Sequence, residues 1–432
     1  MDPISWQTCF PSLSSTSAGH LDGLVSAGWV DQKDASNQLE DLALRLQQWH
    51  ATNTRFQLFI VLHHGNFPSV DYLAEVYRNK DYKTIAVYFF NEPPGATFDE
   101  SATACGSFKA FHTFFQGLPP INVYVQAHAK WSFLGLFIKA SNSRIRVCQE
   151  VYDWMTFFID PALSPSKLSE FTEPETVPTL LEIENVIRND LDGFLYKDGG
   201  KHMEHLLHSS RSPSFQYMPC PPLHWHKRPQ VPMPPEDGWK MVYAGQLKNA
   251  SASRSFFGDL QLHDVIGDLS AQEIHCTAYS GYCPTQQSFY EGYRDYLTLE
   301  ANNDYFHLKR HLPIKELIDR IHNRFHFGLL IYYFDHSLAV GIKHLESALP
   351  SKLFTYISAG LPVIISEELR YAASLVRQFG IGIVVNRDQI KNLSSLLSHI
   401  CLKDMVSNVK KAQNQFHTER FFDGITALLE RR

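Results

Sequence analysis

The chain lacks long apolar runs, paired cysteines and any excess of basic charge, and each lack removes a class of protein. Its longest predominantly apolar stretches, at 56–62, 131–138 and 327–334, fall far short of the ~20 residues a membrane-spanning helix needs. No basic segment followed by an apolar one opens the sequence, so the expectation is a cytoplasmic protein that could still touch the inner face of the membrane. The seven cysteines are odd in number and scattered, with no C-x-x-C spacing, which fits neither a disulfide framework nor a zinc ribbon. Lys plus Arg number 39 against 45 Asp plus Glu, and the resulting net charge of −6 argues against a general nucleic-acid binder. Gly and Pro, 23 each, are too few for a fibrous chain. Absent too are G-x-G-x-x-G after 56–62 or 240–244, a Walker A lysine motif, G-x-S-x-G and H-E-x-x-H. Dinucleotide, P-loop, serine-hydrolase and zinc-protease chemistries lose their usual signatures with them.

What is present suits a folded chain of more than one core. Hydrophobic residues make up 44% and aromatic residues 13%, while the charged fraction of 19% lies below the ~25% common in soluble domains. At 432 residues the length calls for two domains, with room for a small third element. Residues 1–53 begin Ser/Thr-rich and continue with Leu39, Leu42, Leu46 and Trp49 at helical spacing, which predicts a helical N-terminal extension. Short apolar runs at 56–62, 84–90, 121–126 and 144–149 then alternate with segments of helical length. Such runs read as parallel strands buried on both faces and imply βαβ crossovers. The aromatic-rich run 124–137 reads as core rather than as a lipid-facing surface.

Eight prolines crowd into 212–239, so that stretch is expected to be neither helix nor sheet interior, with a stiff connector at 226–238. Beyond it apolar runs resume at 240–244, 273–279, 305–308, 327–333, 362–366 and 381–385. The predicted architecture is α/β: two Rossmann-like, doubly wound domains at 54–225 and 239–432, with the last helix free to pack back on the first domain.

One segment carries most of the chemistry. In Leu349-Pro350-Ser351-Lys352-Leu353-Phe354-Thr355-Tyr356-Ile357-Ser358-Ala359-Gly360-Leu361-Pro362-Val363-Ile364-Ile365, Ser351 occupies an N-cap position. Leu353 and Ile357 form an i, i+4 stripe, and Gly360 sits where a helix ends in a left-handed residue. The helix start offers free N–H groups and the positive end of the dipole, and Lys352 adds a full charge in the first turn. A first-turn lysine opposes the dipole, an inconsistency that a bound anion such as a diphosphate resolves; a solvated lysine on a packing helix is the plain alternative.

This segment resembles the donor site of GT-B-fold glycosyltransferases, particularly bacterial family-4-like enzymes reading P-x-K-x-x-E-Y-x-A-x-G-x-P-V-I. Met241-Val242-Tyr243-Ala244-Gly245-Gln246-Leu247 is similar to the first strand and glycine turn of their nucleotide-sugar-binding domain. His311-Leu312-Pro313-Ile314-Lys315-Glu316-Leu317 is similar to the turn and helix that hold the nucleobase. In the first half, Val125-Gln126-Ala127-His128 and Glu150-Val151-Tyr152-Asp153 look like acceptor-side strand ends. The family's Glu-x7-Glu pair aligns with Ser347 and Thr355, neither of them acidic, and Glu346 stands one residue away from the first position. A Thr355 hydroxyl would bind ribose more weakly than a carboxylate does.

The resemblance implies sugar transfer from a nucleotide-sugar to a glycan, lipid-linked or protein hydroxyl in the cleft between the domains. Neither a metal nor another cofactor is expected, because a helix start and basic groups would neutralise the departing diphosphate. Ser351 and Lys352, with Lys248 or Arg254 beyond Gly245, would serve the diphosphate, and the backbone near Arg310 and His311 would receive the base. An inverting enzyme also needs a general base at a strand end of the first sheet, where open α/β sheets place their sites. Asp153, His128 and the pair His63 and His64 are the candidates. His202, His205 and His208, with Cys220, His224 and His226, lack a metal-site signature and read as a solvated helix face and connector. Two rivals use the same fold: a non-catalytic glycan- or partner-binding protein and a nucleotide-sugar epimerase.

Overall fold

The computed structural model describes residues 4–62, 68–90, 98–159, 169, 173–231, 238–252, 260–280, 285–332 and 341–431. In its first half, β1 (Phe56–Val61), β2 (Lys83–Tyr88), β3 (Glu100–Thr103), β4 (Asn122–Gln126), β5 (Arg146–Val151), β6 (Gly193–Tyr196) and β7 (Ser214–Gln216) build one sheet. Its order is β3-β2-β1-β4-β5-β6-β7, and every pairing is parallel. A second all-parallel sheet joins β8 (Lys240–Ala244), β9 (His275–Ser280), β10 (Phe306–Arg310), β11 (Phe327–Leu330), β12 (Val363–Ser366) and β13 (Gly382–Val385). Its order, β10-β9-β8-β11-β12-β13, repeats the doubly wound pattern of the first. Strand order reverses between β1 and β4 and between β8 and β11, and crevices at the carboxyl ends of such strands are where open α/β sheets bind ligands.

Alternation along each strand feeds two cores. Leu58, Ile60, Val123 and Val125 face one side of the first sheet, and Phe59, Val61 and Tyr124 face the other. In the second sheet Val242 and Ala244 oppose Met241 and Tyr243 in the same way. The aromatic run is core: Tyr124, Phe133 and Phe137 are fully buried.

The N-terminal helices Trp6–Cys9, Ser15–Ala27 and Lys33–Ala51 bury Trp6, Leu21, Leu39, Leu42 and Leu46 in the same cluster as β1 and β4, so they are built into the first domain's core. The proline-rich stretch holds an edge strand that the sequence reading did not anticipate. β7 runs immediately after Pro213, on the sheet edge, where a missing N–H is harmless; the Pro213 carbonyl accepts from Phe194 N at 3.0 Å. The helix Phe422–Glu430 crosses back and buries Phe422, Ile425, Leu428 and Leu429 on the first sheet. Among the described residues no helix is long and apolar enough to cross a membrane.

Candidate active site

The helix Lys352–Ala359 begins at the crevice between β8 and β11, and its first turn is organised around the lysine. Lys352 Nζ donates to Tyr243 Oη at 2.8 Å and stands 4.3 Å and 4.8 Å from the ring centroids of Tyr243 and Tyr332. Two electron-rich faces hold the ammonium at the helix start. Tyr243 in turn donates to the Gln246 carbonyl at 2.8 Å, which fixes the phenol. Gly245 passes directly beneath the lysine: a Cβ there would lie 2.5 Å from Lys352 Cε. Gly360 closes the helix at φ +80°, the left-handed terminus expected from sequence. The Ser351 side chain caps nothing and lies against the Tyr152 hydroxyl of the first domain. The N–H groups expected to be free are already engaged, Leu353 N with Pro350 O at 3.1 Å and Phe354 N and Thr355 N with Ser351 O at 3.1 Å and 3.2 Å. The helix start therefore offers its dipole and the lysine.

Tyr356 holds the crevice open. The β8–β11 pairing runs from Phe327↔Met241 to Gly328↔Val242, and farther along the buried Tyr356 hydroxyl takes over. It accepts from Ala244 N at 2.8 Å and donates to the Leu329 carbonyl at 3.1 Å. Gly328 makes room, because a Cβ would come within 2.3 Å of the ring. Tyr356→Phe strands a buried N–H and a buried C=O, so chemical denaturation is expected to register a loss of about 1–3 kcal/mol in the second domain.

Facing this helix, the carboxyl ends of β5 and β6 bring Asp153, Lys197 and Asp198 together. Lys197 Nζ lies 3.1 Å from Asp198 Oδ1 and 3.3 Å from Asp153 Oδ1, and sits 4.4 Å above the Tyr152 ring. The side chains of Lys197 and Asp198 are only 5% and 1% exposed, whereas that of Asp153 is 41% exposed, so Asp153 alone of the three opens to the cleft. Burial pushes the Asp153 carboxyl up, but Lys197, with His344 and His128, outweighs it and holds the group below its ordinary value. Burial would discharge Lys197; Asp198 and Asp153 reverse that and keep it an ammonium. His344, on the helix Ile342–Ser347 of the second domain, is held down by burial against the pull of the two aspartates.

His128 follows β4 and acts on Asp153 through its charge, and Ala129, at φ +49°, turns the chain immediately after it. The structure therefore brings Asp153, His128, Ser351 and Lys352 to one cleft. Lys248 is tied into the loop after β8 through its backbone, donating to Leu260 O and accepting from Tyr296 Oη. Arg310 ends the edge strand β10 and His311 follows it, two ladder spacings or about 10 Å from β8. Burial lowers the His311 pKa. Thr355 is 4% exposed with its hydroxyl turned to Ser351 O at 3.5 Å, and Ser347 is 1% exposed, so neither hydroxyl is presented to a ribose. His63, His64 and Arg254 lie outside the described residues.

Glu346 points away from the donor helix and joins the domains, bonding His202 Nε2 at 2.7 Å and Arg370 at 3.0 Å. His205 and His208 are exposed, and the three histidines do not converge. Lys197, Asp198 and His344 were not anticipated from the sequence, and Tyr152, Tyr243 and Tyr356 stood in the quoted motifs with no role assigned. The one local signal was Lys197-Asp198-Gly199-Gly200, a charged and glycine-rich turn after a strand.

Residues 242–427 match the family model described as "Glucosyltransferase 3-like, C-terminal domain". No curated protein matches the chain in sequence. Among solved structures the chain is similar to a sucrose-phosphate synthase from Thermosynechococcus elongatus, with a TM-score of 0.57 and 12% identity over 86% of this chain and 98% of that one. It is also similar to OtsA in its apo form, at TM-score 0.56 and 11% identity over 87% and 99%. Anabaena HepE in complex with UDP-glucose gives 0.55 and 11% over 88% and 100%. At such identities the likeness is one of fold, and that fold is the two-domain GT-B architecture.

Proposed function

We infer that this chain is a GT-B glycosyltransferase, moving a sugar from a nucleotide-sugar to an acceptor hydroxyl in the cleft between its two parallel sheets. The observation that carries the reading is the meeting, at the carboxyl ends of both sheets, of a lysine-bearing helix start with an ionised, partly exposed aspartate. The matched family description and the fold of its structural relatives point the same way.

Lys352 and the positive end of its helix dipole receive the diphosphate, and their positive charge stabilises it as it departs. The acceptor oxygen attacks the anomeric carbon, the carbon–oxygen bond to the diphosphate breaks, and the diphosphate leaves with the bonding pair. Asp153 takes the acceptor proton. That oxygen becomes strongly acidic as the new bond forms, so a weak base suffices, and the low pKa of Asp153 secures its ionised state. His128 stands beside it as the alternative acceptor of the proton.

We further propose a UDP-sugar as donor, the ligand class in the HepE complex, and a family-4-like donor site in which no carboxylate holds the ribose. Charge on the diphosphate is met by Lys352 and the helix start, without a metal. The acceptor is a glycan, lipid-linked or protein hydroxyl. The test is turnover on a panel of UDP-, GDP- and dTDP-sugars. Acceptor-dependent release of the nucleoside diphosphate is the expected result; binding without release on every pair tried marks a non-catalytic binder, and interconversion of the sugar marks an epimerase.

A further inference from the structure

The turn Lys197-Asp198-Gly199-Gly200, between β6 and the helix Lys201–His208, belongs to the first domain yet is seated on the second. Asp198 Oδ1 accepts from Leu349 N at 3.2 Å, and Gly199 N donates to Ser347 O at 3.0 Å. These bonds grip the backbone two to four residues before Ser351, where the donor helix begins. No larger residue fits at 199, since a Cβ would lie 2.2 Å from the Tyr371 ring. Gly200 then turns at φ +78° into its helix. The oxygen that holds Leu349 is the one that pairs with Lys197, and Lys197 also holds Asp153.

We propose that Lys197 and Asp198 are positioning residues that couple the two halves of the reaction: Asp198 fixes the approach to the donor helix, and Lys197 holds Asp153 in place and ionised beside it. This rests on Asp153 as the general base. The groups facing Asp153 are Lys197 and Asp198 at the end of β6, His128 after β4, Tyr152 on its own turn, and His344 from the second domain. Lys197 is the one side-chain ammonium among them, and it is buried where solvent cannot substitute for it.

A general base must be ionised, so kcat/KM falls as pH drops through its pKa. With Lys197 in place that acid limb lies below the ordinary carboxylate range. Removal of the ammonium takes away the largest influence opposing burial and leaves only the weaker ones of His344 and His128, so the limb moves up.

The pH profile of kcat/KM for acceptor-dependent nucleotide release tests this on the full chain. Lys197→Met is expected to raise the acid limb by one unit or more. Because it strands a buried carboxylate, the double variant Lys197→Met/Asp198→Leu is measured beside it; replacing the pair with apolar groups keeps a packed interior and still removes the cation from Asp153. An upward shift in either variant supports the proposal. Lowered thermal stability or kcat with an unmoved limb, or failure of both variants to fold, assigns the pair to architecture alone and overturns it. Asp153→Asn separates the two levels: if that variant keeps wild-type turnover and profile, the general-base reading itself fails.

Discussion

Replacing Lys352 with alanine is expected to weaken binding of a nucleoside diphosphate by roughly 10- to 150-fold, the equivalent of about 1.5–3 kcal/mol for a charge-assisted contact. Lys352 carries a full positive charge at the start of a helix whose dipole alone disfavours it. Its ammonium is held over Tyr243 and Tyr332 rather than spread into solvent, so the arm is already oriented when the anion arrives. Calorimetric titration of UDP into wild-type and variant protein measures the difference, with circular dichroism as the check on folding. Lys352→Met, which keeps the stem packed on Gly245, should lose nearly as much affinity, because the contact depends on charge. An affinity equal to wild type in both variants would remove the donor site from this helix.

The second large effect belongs to Asp153. Asp153→Asn keeps the shape and a hydrogen-bonding oxygen for Lys197 but cannot accept a proton, so kcat is expected to fall by about 10²- to 10⁴-fold. Donor affinity should change little, because the diphosphate contacts lie on the other domain. The wild-type enzyme should show no acid limb from neutral pH down to the ordinary carboxylate range, since Lys197, His344 and His128 together keep the carboxyl below it. Steady-state nucleotide release across pH measures both features. A larger loss in His128→Ala than in Asp153→Asn would transfer the base role to the histidine.

Much of this architecture was legible in the sequence, for a specific physical reason. Strands such as β1, β4, β8 and β12 are buried on both faces, and double burial writes a continuous apolar run. The strands that escaped notice are short or polar: β3 reads Glu-Ser-Ala-Thr, β6 has four residues, and β7 follows a proline on the edge. A proline-rich stretch need not exclude a strand whose first backbone group supplies only an acceptor. The helix over 352–359 was legible because its apolar stripe and Gly360 agree locally.

The partners of Asp153 were not legible. Lys197 and Asp198 come from a loop more than forty residues away, and His344 comes from the other domain. No periodicity encodes such a meeting, which the crossover topology produces. Tyr356 was visible as a motif residue, yet its task of bridging Ala244 and Leu329 emerges only once β8 and β11 are neighbours. Glu346 shows the converse: it sits one position from where a ribose-binding carboxylate would stand, and the helix turns it to His202 and Arg370 instead.

The most direct test of the account is a crystal structure of the protein with a bound nucleoside diphosphate. Diphosphate oxygens are expected about 3 Å from Lys352 Nζ, at the positive end of that helix, with the Asp153 carboxylate opening onto the same cleft. A diphosphate seated elsewhere, with Lys352 still resting on Tyr243, would contradict it.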